Sequence, residues 1–164
     1  DAEPLVPPSD TLRQAYLDDL RADFHIEAGE LDQALVALER AMGGARRVSN
    51  GGVEAACQAK AVLVEHALGD LDAALARSHA LDLDAWPGHR SLVAALLADR
   101  GELEQARALF AQAGHTPLDA LRRVHLDPSP EALRVATRAL SEPPFRSVEA
   151  RLATVVATRA VTSL

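Results

Sequence analysis

One short segment recurs three times in this chain. It reads GELDQAL from Gly29, GDLDAAL from Gly69 and GELEQAR from Gly101, at separations of 40 and 32 residues. A glycine can leave a helix through the left-handed region, where other residues suffer a Cβ clash. The acid that follows (Glu30, Asp70, Glu102) stands at the positive start of a second helix. Leu31, Leu71 and Leu103 are expected to turn inward. Ala34, Ala74 and Ala106 have no bulk and let an antiparallel helix approach closely. Internal periods of roughly 20–50 residues mark stacked supersecondary units, so the segments predict a series of helix pairs.

Composition agrees with helix. The apolar fraction of 48% is carried by Ala, Leu and Val, and the aromatics are only Tyr16, Phe24, Trp86, Phe110 and Phe145. Ala and Leu favour helices, and the usual strand formers are scarce. A chain of 164 residues is of single-domain size and long enough to bury a core without a metal or disulfide staple. Cys57 stands alone, which excludes an intrachain disulfide and a cysteine-based zinc framework; it reads as a small buried hydrophobe. No run of 18 apolar residues suggests a membrane span, and no signal-peptide pattern is present. The start at Asp1 without Met reads as a trimmed chain, either excised from a longer cytoplasmic regulator or a mature exported form, periplasmic or extracellular.

Residues 1–9, DAEPLVPPS, hold three of the nine prolines and read as an extended lead-in. Asp10 is then a helix cap, with a helix from Thr11 to about Glu27 carrying a stripe of Leu12, Tyr16, Leu20 (or Leu17), Phe24 and Ile26. A second helix places Leu31, Ala34, Leu35, Leu38 and Met42 on one face, with a stop expected at Gly43-Gly44. Helices follow over Val53–Leu68, through LDAALARSHAL, and from His89 to about Arg100 after a break at Trp86-Pro87-Gly88. The helix begun by Leu103 stops at Gly114. Leu118–Leu126 forms a short helix. Ser129-Pro130 starts another, ended by Pro143-Pro144. A last helix from about Phe145 to Val161, with Val148, Leu152, Val155 and Val156 on one side, covers the packing face that a stack would otherwise expose. The expected domain is therefore 10–164, with repeats about 11–44, 52–85 and 88–115 and capping helices about 117–161.

The Gly-acid-large-x-x-Ala centre resembles the turn of the tetratricopeptide repeat. Ala22 and Ala94 match the small residue of that motif's first helix, Phe110 the aromatic of the second, and Ala41 and Ala113 its later small position. The irregular spacing and the lack of aromatics in the first helices depart from the pattern. In this the segment HRSLVAALLADRGELEQARALFAQAG is similar to the degenerate repeat sections of large bacterial transcriptional activators and signalling ATPases. The resemblance covers roughly residues 11–115. It implies an all-α, right-handed superhelix of about three helix pairs with C-terminal caps, working as a non-catalytic interaction or sensor module.

Catalytic motifs are missing from the sequence. None of His25, His66, His79, His89, His115 and His125 stands three or four residues from another, and no HExxH, nucleophile elbow, phosphate loop or dinucleotide fingerprint occurs. No enzyme activity, metal or cofactor is expected. Arg46 and Arg47, between two glycine pairs, read as part of a plain inter-repeat loop. The net charge of −7 is uneven: −7 over residues 1–45, −3 over 46–120 and +3 over 121–164. An acidic body disfavours nucleic acid. The family's geometry puts first helices on the concave side, which gives Tyr16, Asp19, Asp23, Glu27, Ala59, Leu63, His66, Ser91, Ala95 and Asp99 as the lining. That lining lacks the family's clamp for a peptide carboxylate and suits a basic or amphipathic protein segment. An enclosed small-molecule site, for an effector or an enzyme, is the competing reading; it would need a deep pocket lined by Trp86, Phe110 and a buried histidine.

Overall fold

The computed structural model describes residues 7–140 and 147–162. Among them nine α-helices and one short 3-10 turn are found, and no strand. The helices are α1 (Pro8–Ala28), α2 (Leu31–Arg47), α3 (Gly51–Leu68), α4 (Leu71–Ser78), α5 (Arg90–Asp99), α6 (Leu103–Gln112), α7 (Pro117–Arg123), α8 (Pro130–Leu140) and α9 (Val148–Thr162). No helix of the described residues is long and apolar enough to cross a membrane. The chain divides into two compact units with the boundary between Ala61 and Val62, inside α3.

The three glycine turns are built alike. Gly29, Gly69 and Gly101 have φ of 79°, 88° and 87°. In each turn the glycine N–H donates to the carbonyl three residues back (Ile26, His66, Ala98). The next N–H, from Glu30, Asp70 or Glu102, donates to the carbonyl five residues back (His25, Glu65, Leu97) at 2.8–3.0 Å. This is the Schellman closure of a helix end. The acid then caps the following helix, and its carbonyl accepts from Ala34, Ala74 or Ala106. Those three alanines are all fully buried. Leu31 and Leu71 are half-buried, but Leu103 is exposed, so the inward turn expected of it does not occur.

In the first unit, α1 packs along α2. The buried side of α1 is Ala15, Asp18, Ala22 and Ile26, a small-residue stripe, and Tyr16, Leu17, Leu20 and Phe24 face outward. Of the expected stripe Ile26 is buried and Leu12 half-buried, and the rest is turned outward, because close helix approach selects small side chains over large ones. Gly44 shows how close the approach is: a Cβ there would stand 2.9 Å from Ala15 Cβ. The expected stop at Gly43-Gly44 is therefore replaced by a helix that runs on to Arg47. Beyond it, Asn50 caps α3 by accepting from Val53 N–H at 3.1 Å. The loop expected to carry Arg46 and Arg47 is correspondingly reduced, and Arg46 pairs with Glu54. The lead-in also ends earlier than expected. Pro7 is the cap and α1 starts at Pro8, whose preset φ and missing N–H suit a first helical position. Asp10 sits inside the first turn.

In the second unit, α5 packs on α4, α6 and α7, and α7 on α8 and α9. Ala94, Ala95 and Phe110 form one core cluster. Leu121, Val124, Ala136, Ala150, Ala153 and Ala157 form another. Thr116 and Asp119 make a reciprocal capping box at the start of α7, and Ser129 and Ser147 cap α8 and α9 through Ala132 and Ala150 N–H. Val155 is exposed, against the face expected for it. The expected stop at Pro143-Pro144 and start at Phe145 lie outside the described residues.

The two central glycines of α2 give a paired test. Gly44→Ala should lower stability by about 1–2 kcal/mol, since overpacking of that size outweighs the helix propensity gained. Gly43→Ala, whose nearest neighbour would be Arg47 at 3.9 Å, should be neutral or raise stability by up to about 1 kcal/mol in urea unfolding.

Candidate functional site

Two polar clusters are assembled from residues far apart in sequence, one in each unit. In the first, Lys60 Nζ lies 2.7 Å from Asp19 Oδ1 and 2.7 Å from Asp23 Oδ1. Asp19 and Asp23 stand one helical turn apart on α1, so a single ammonium from α3 reaches both. Burial pushes the Lys60 ammonium toward neutrality, but its hydrogen bonds to both carboxylates outweigh that and leave its pKa above the ordinary 10.5. Cys57 donates to Asp19. Burial first, and then the Asp19 charge, push its thiol up to about 12, so Cys57 is an inert group and no nucleophile. Lys60 thus offsets one of the two negative charges expected on the lining from Asp19 and Asp23, and the other remains.

The second cluster stands at the ends of α3 and α5. His66 Nε2 is 2.7 Å from Asp99 Oδ2, and His125 Nδ1 is 2.6 Å from Asp99 Oδ1. Both rings are buried and Asp99 is a quarter exposed at its side chain. The ring centroids of the two histidines are 5.5 Å apart. Burial raises the Asp99 pKa, but hydrogen bonds from His125 and His66 prevail and hold it down to about 2. A cleft of about 360 Å³ opens over the cluster, lined also by Leu71, Pro128, Val156 and Arg159. Arg159 of α9 donates to the carbonyls of Ala67 at 2.6 Å and His66 at 3.4 Å. A cation on the last carbonyls of a helix is favourable, and here it fixes the turn of α3 that carries His66.

The remaining expected site residues fall elsewhere. Tyr16 and Glu27 are exposed on α1. Leu63 and Ser91 are corrections, being 2% and 0% exposed. Ser91 accepts from Arg122 Nη1 at 3.0 Å and is an interior strut. Burial drives the Arg122 guanidinium down to about 10, against the pull of Glu149 and Asp119. Ala59 and Ala95 are also buried. Trp86 is exposed and stacks on His89, and Phe110 is in the core, so the cleft is not the pocket anticipated for a small molecule. His66 and Asp99 were both expected on a binding surface, but His66 is only 4% exposed, and Asp99 is the one of the two that reaches solvent. Their direct contact and the third member, His125, were not expected, because the three lie 33 and 26 residues apart.

No family model, curated protein or solved structure matches this chain.

Removing the cation from the first cluster should expose its role. Lys60→Met leaves two carboxylates facing one another. Because both are partly exposed, the expected cost is about 1–3 kcal/mol, below that of a fully buried pair. A raised lysine pKa contributes stability fully below 10.5 and loses it as pH rises through the higher folded value. The difference between the two proteins in urea unfolding should hold at neutral pH and close in strongly alkaline solution.

Proposed function

We propose that this chain is a non-catalytic interaction module of the helical-repeat kind, its three glycine-turn hairpins stacking as a right-handed superhelix. It takes an amphipathic protein segment. The observation that carries the proposal is the exposed apolar stripe of α1: Tyr16, Leu17, Leu20 and Phe24 are 49%, 43%, 53% and 75% exposed. Four large side chains at helical spacing, left exposed among the described residues, are unusual where small residues fill the buried side. Aromatic and aliphatic anchors of this kind dominate binding energy at protein interfaces. A partner helix presenting residues at i, i+3, i+4 and i+7 has the matching spacing.

Charge narrows the partner. Lys60 offsets only one of the two charges of Asp19 and Asp23, and Glu27 is exposed on the same helix, so the acidity left beside the stripe favours a segment with a basic edge. Apolar complementarity is the main term, with an added attraction for basic side chains that salt weakens. The three identical turns support the repeat reading independently of the stripe, since one turn design used three times implies units that stack on one another.

The test uses the immobilised chain and extract from the source cells, comparing wild type with Leu20→Glu/Phe24→Glu. Both positions are exposed, so the variant should melt within about 0.5 kcal/mol of wild type. A discrete partner retained by wild type and weakened at least about tenfold in the variant, a loss of about 1.4 kcal/mol, supports the proposal. Equal retention by both proteins, or none by wild type, contradicts it.

A further inference from the structure

We infer that His66, Asp99 and His125 form a binding site for a divalent first-row transition metal, zinc foremost. The inference stands on the second unit alone and does not rest on the interaction reading. Its basis is convergence: His66 from α3, Asp99 from α5 and His125 from the turn after α7 each offer one ligand atom, and these atoms all lie within 4.8 Å of one another. Three protein ligands of the two-imidazole, one-carboxylate type suit zinc, iron(II), cobalt(II) and nickel(II), and leave positions open for water or a further ligand. The cleft of about 360 Å³ beside Asp99 supplies the room and the route for both.

The geometry needs only side-chain adjustment. Metal–nitrogen and metal–oxygen bonds of about 2.0–2.2 Å set ligand atoms roughly 3.3 Å apart in a tetrahedron. The two histidine–aspartate separations of 2.7 and 2.6 Å, made to different oxygens of Asp99, would widen by roughly 0.6–0.7 Å as the metal replaces the protons now bridging those atoms. Each imidazole then binds through the nitrogen already aimed at Asp99. Its proton moves to the other ring nitrogen or is released to solvent, so binding is favoured by neutral rings. Both histidines are 4% exposed. The Arg159 contacts to the His66 and Ala67 carbonyls brace the first ligand from behind. Such bracing orients metal ligands in metalloproteins generally. A simple structural tie, with Asp99 joining two histidines, would also draw these groups together, and only the metal-site reading predicts a specific ion in the cleft.

The experiment titrates the whole chain, stripped with chelator, with cobalt(II) chloride and separately with zinc chloride. The expected result is one cobalt(II) per chain with visible d–d absorption of a low-coordinate nitrogen–oxygen site, displaced by zinc, and a melting temperature that rises with zinc concentration. His125→Gln should weaken binding at least about tenfold, whereas His115→Gln, an exposed histidine outside the cluster, should leave it unchanged. The wild-type titration decides the matter even if His125→Gln fails to fold. Absence of visible bands together with no zinc-dependent rise in melting temperature overturns the inference. So does equal binding by wild type and a folded His125→Gln.

Discussion

The left-handed glycine at the end of each first helix is the constraint on which the rest depends. Its N–H and the next one close the helix on carbonyls three and five residues back. The chain leaves at an angle that makes the following acid the cap of the return helix. Any residue with a Cβ would be strained there. The result is a hairpin whose two helices meet at a fully buried alanine. The same geometry also builds the second polar cluster. His66 lies three residues before Gly69 and Asp99 two residues before Gly101, so both occupy the last turn of a first helix. Fixing the turns brings these equivalent ends within hydrogen-bond reach, and His125 enters from the turn after α7.

Buried polar groups are concentrated where hairpins meet other elements. Lys60 holds two carboxylates of α1, Arg122 holds Ser91 and the Gly88 carbonyl, Arg77 holds Glu65, and Arg159 holds the end of α3. Ala-rich interfaces permit close approach but offer little side-chain shape with which to define register. Charged struts with fixed partners provide that definition, because a slipped register would leave a buried charge unpaired. The arrangement accounts for a core with few aromatics that nonetheless sets each helix against particular neighbours.

Much of this architecture was legible in the sequence, for identifiable reasons. The Gly-acid-Leu-x-x-Ala centres located three turns because glycine, cap and small residue each answer a local demand. Ser129-Pro130 marked the start of α8 by the same local logic. The failures were tertiary. Gly43 and Gly44 look like a stop, but Gly44 is required by Ala15 on another helix, which no local rule reveals. Tyr16, Leu20 and Phe24 look like a core stripe because size usually signals burial, whereas close packing placed Ala15 and Ala22 inside. Of the candidate site, Asp99 reaches the surface that its place in the repeat suggests, whereas His66, Ser91 and Leu63 are buried. His125 carried no signal, since it belongs to no repeat and its partners are distant in sequence. The Thr116-x-x-Asp119 pattern was readable as a capping box and would have placed α7 correctly.

The central claim is that one turn, used three times, organises the chain. Native-state amide hydrogen exchange at Glu30, Asp70 and Glu102 tests it most directly, because each of these N–H groups makes the long bond that closes its turn. Three amides protected well above the exchange rate of an unstructured peptide, with comparable opening free energies, are what the account predicts. Exchange at unstructured rates at any of the three would contradict it.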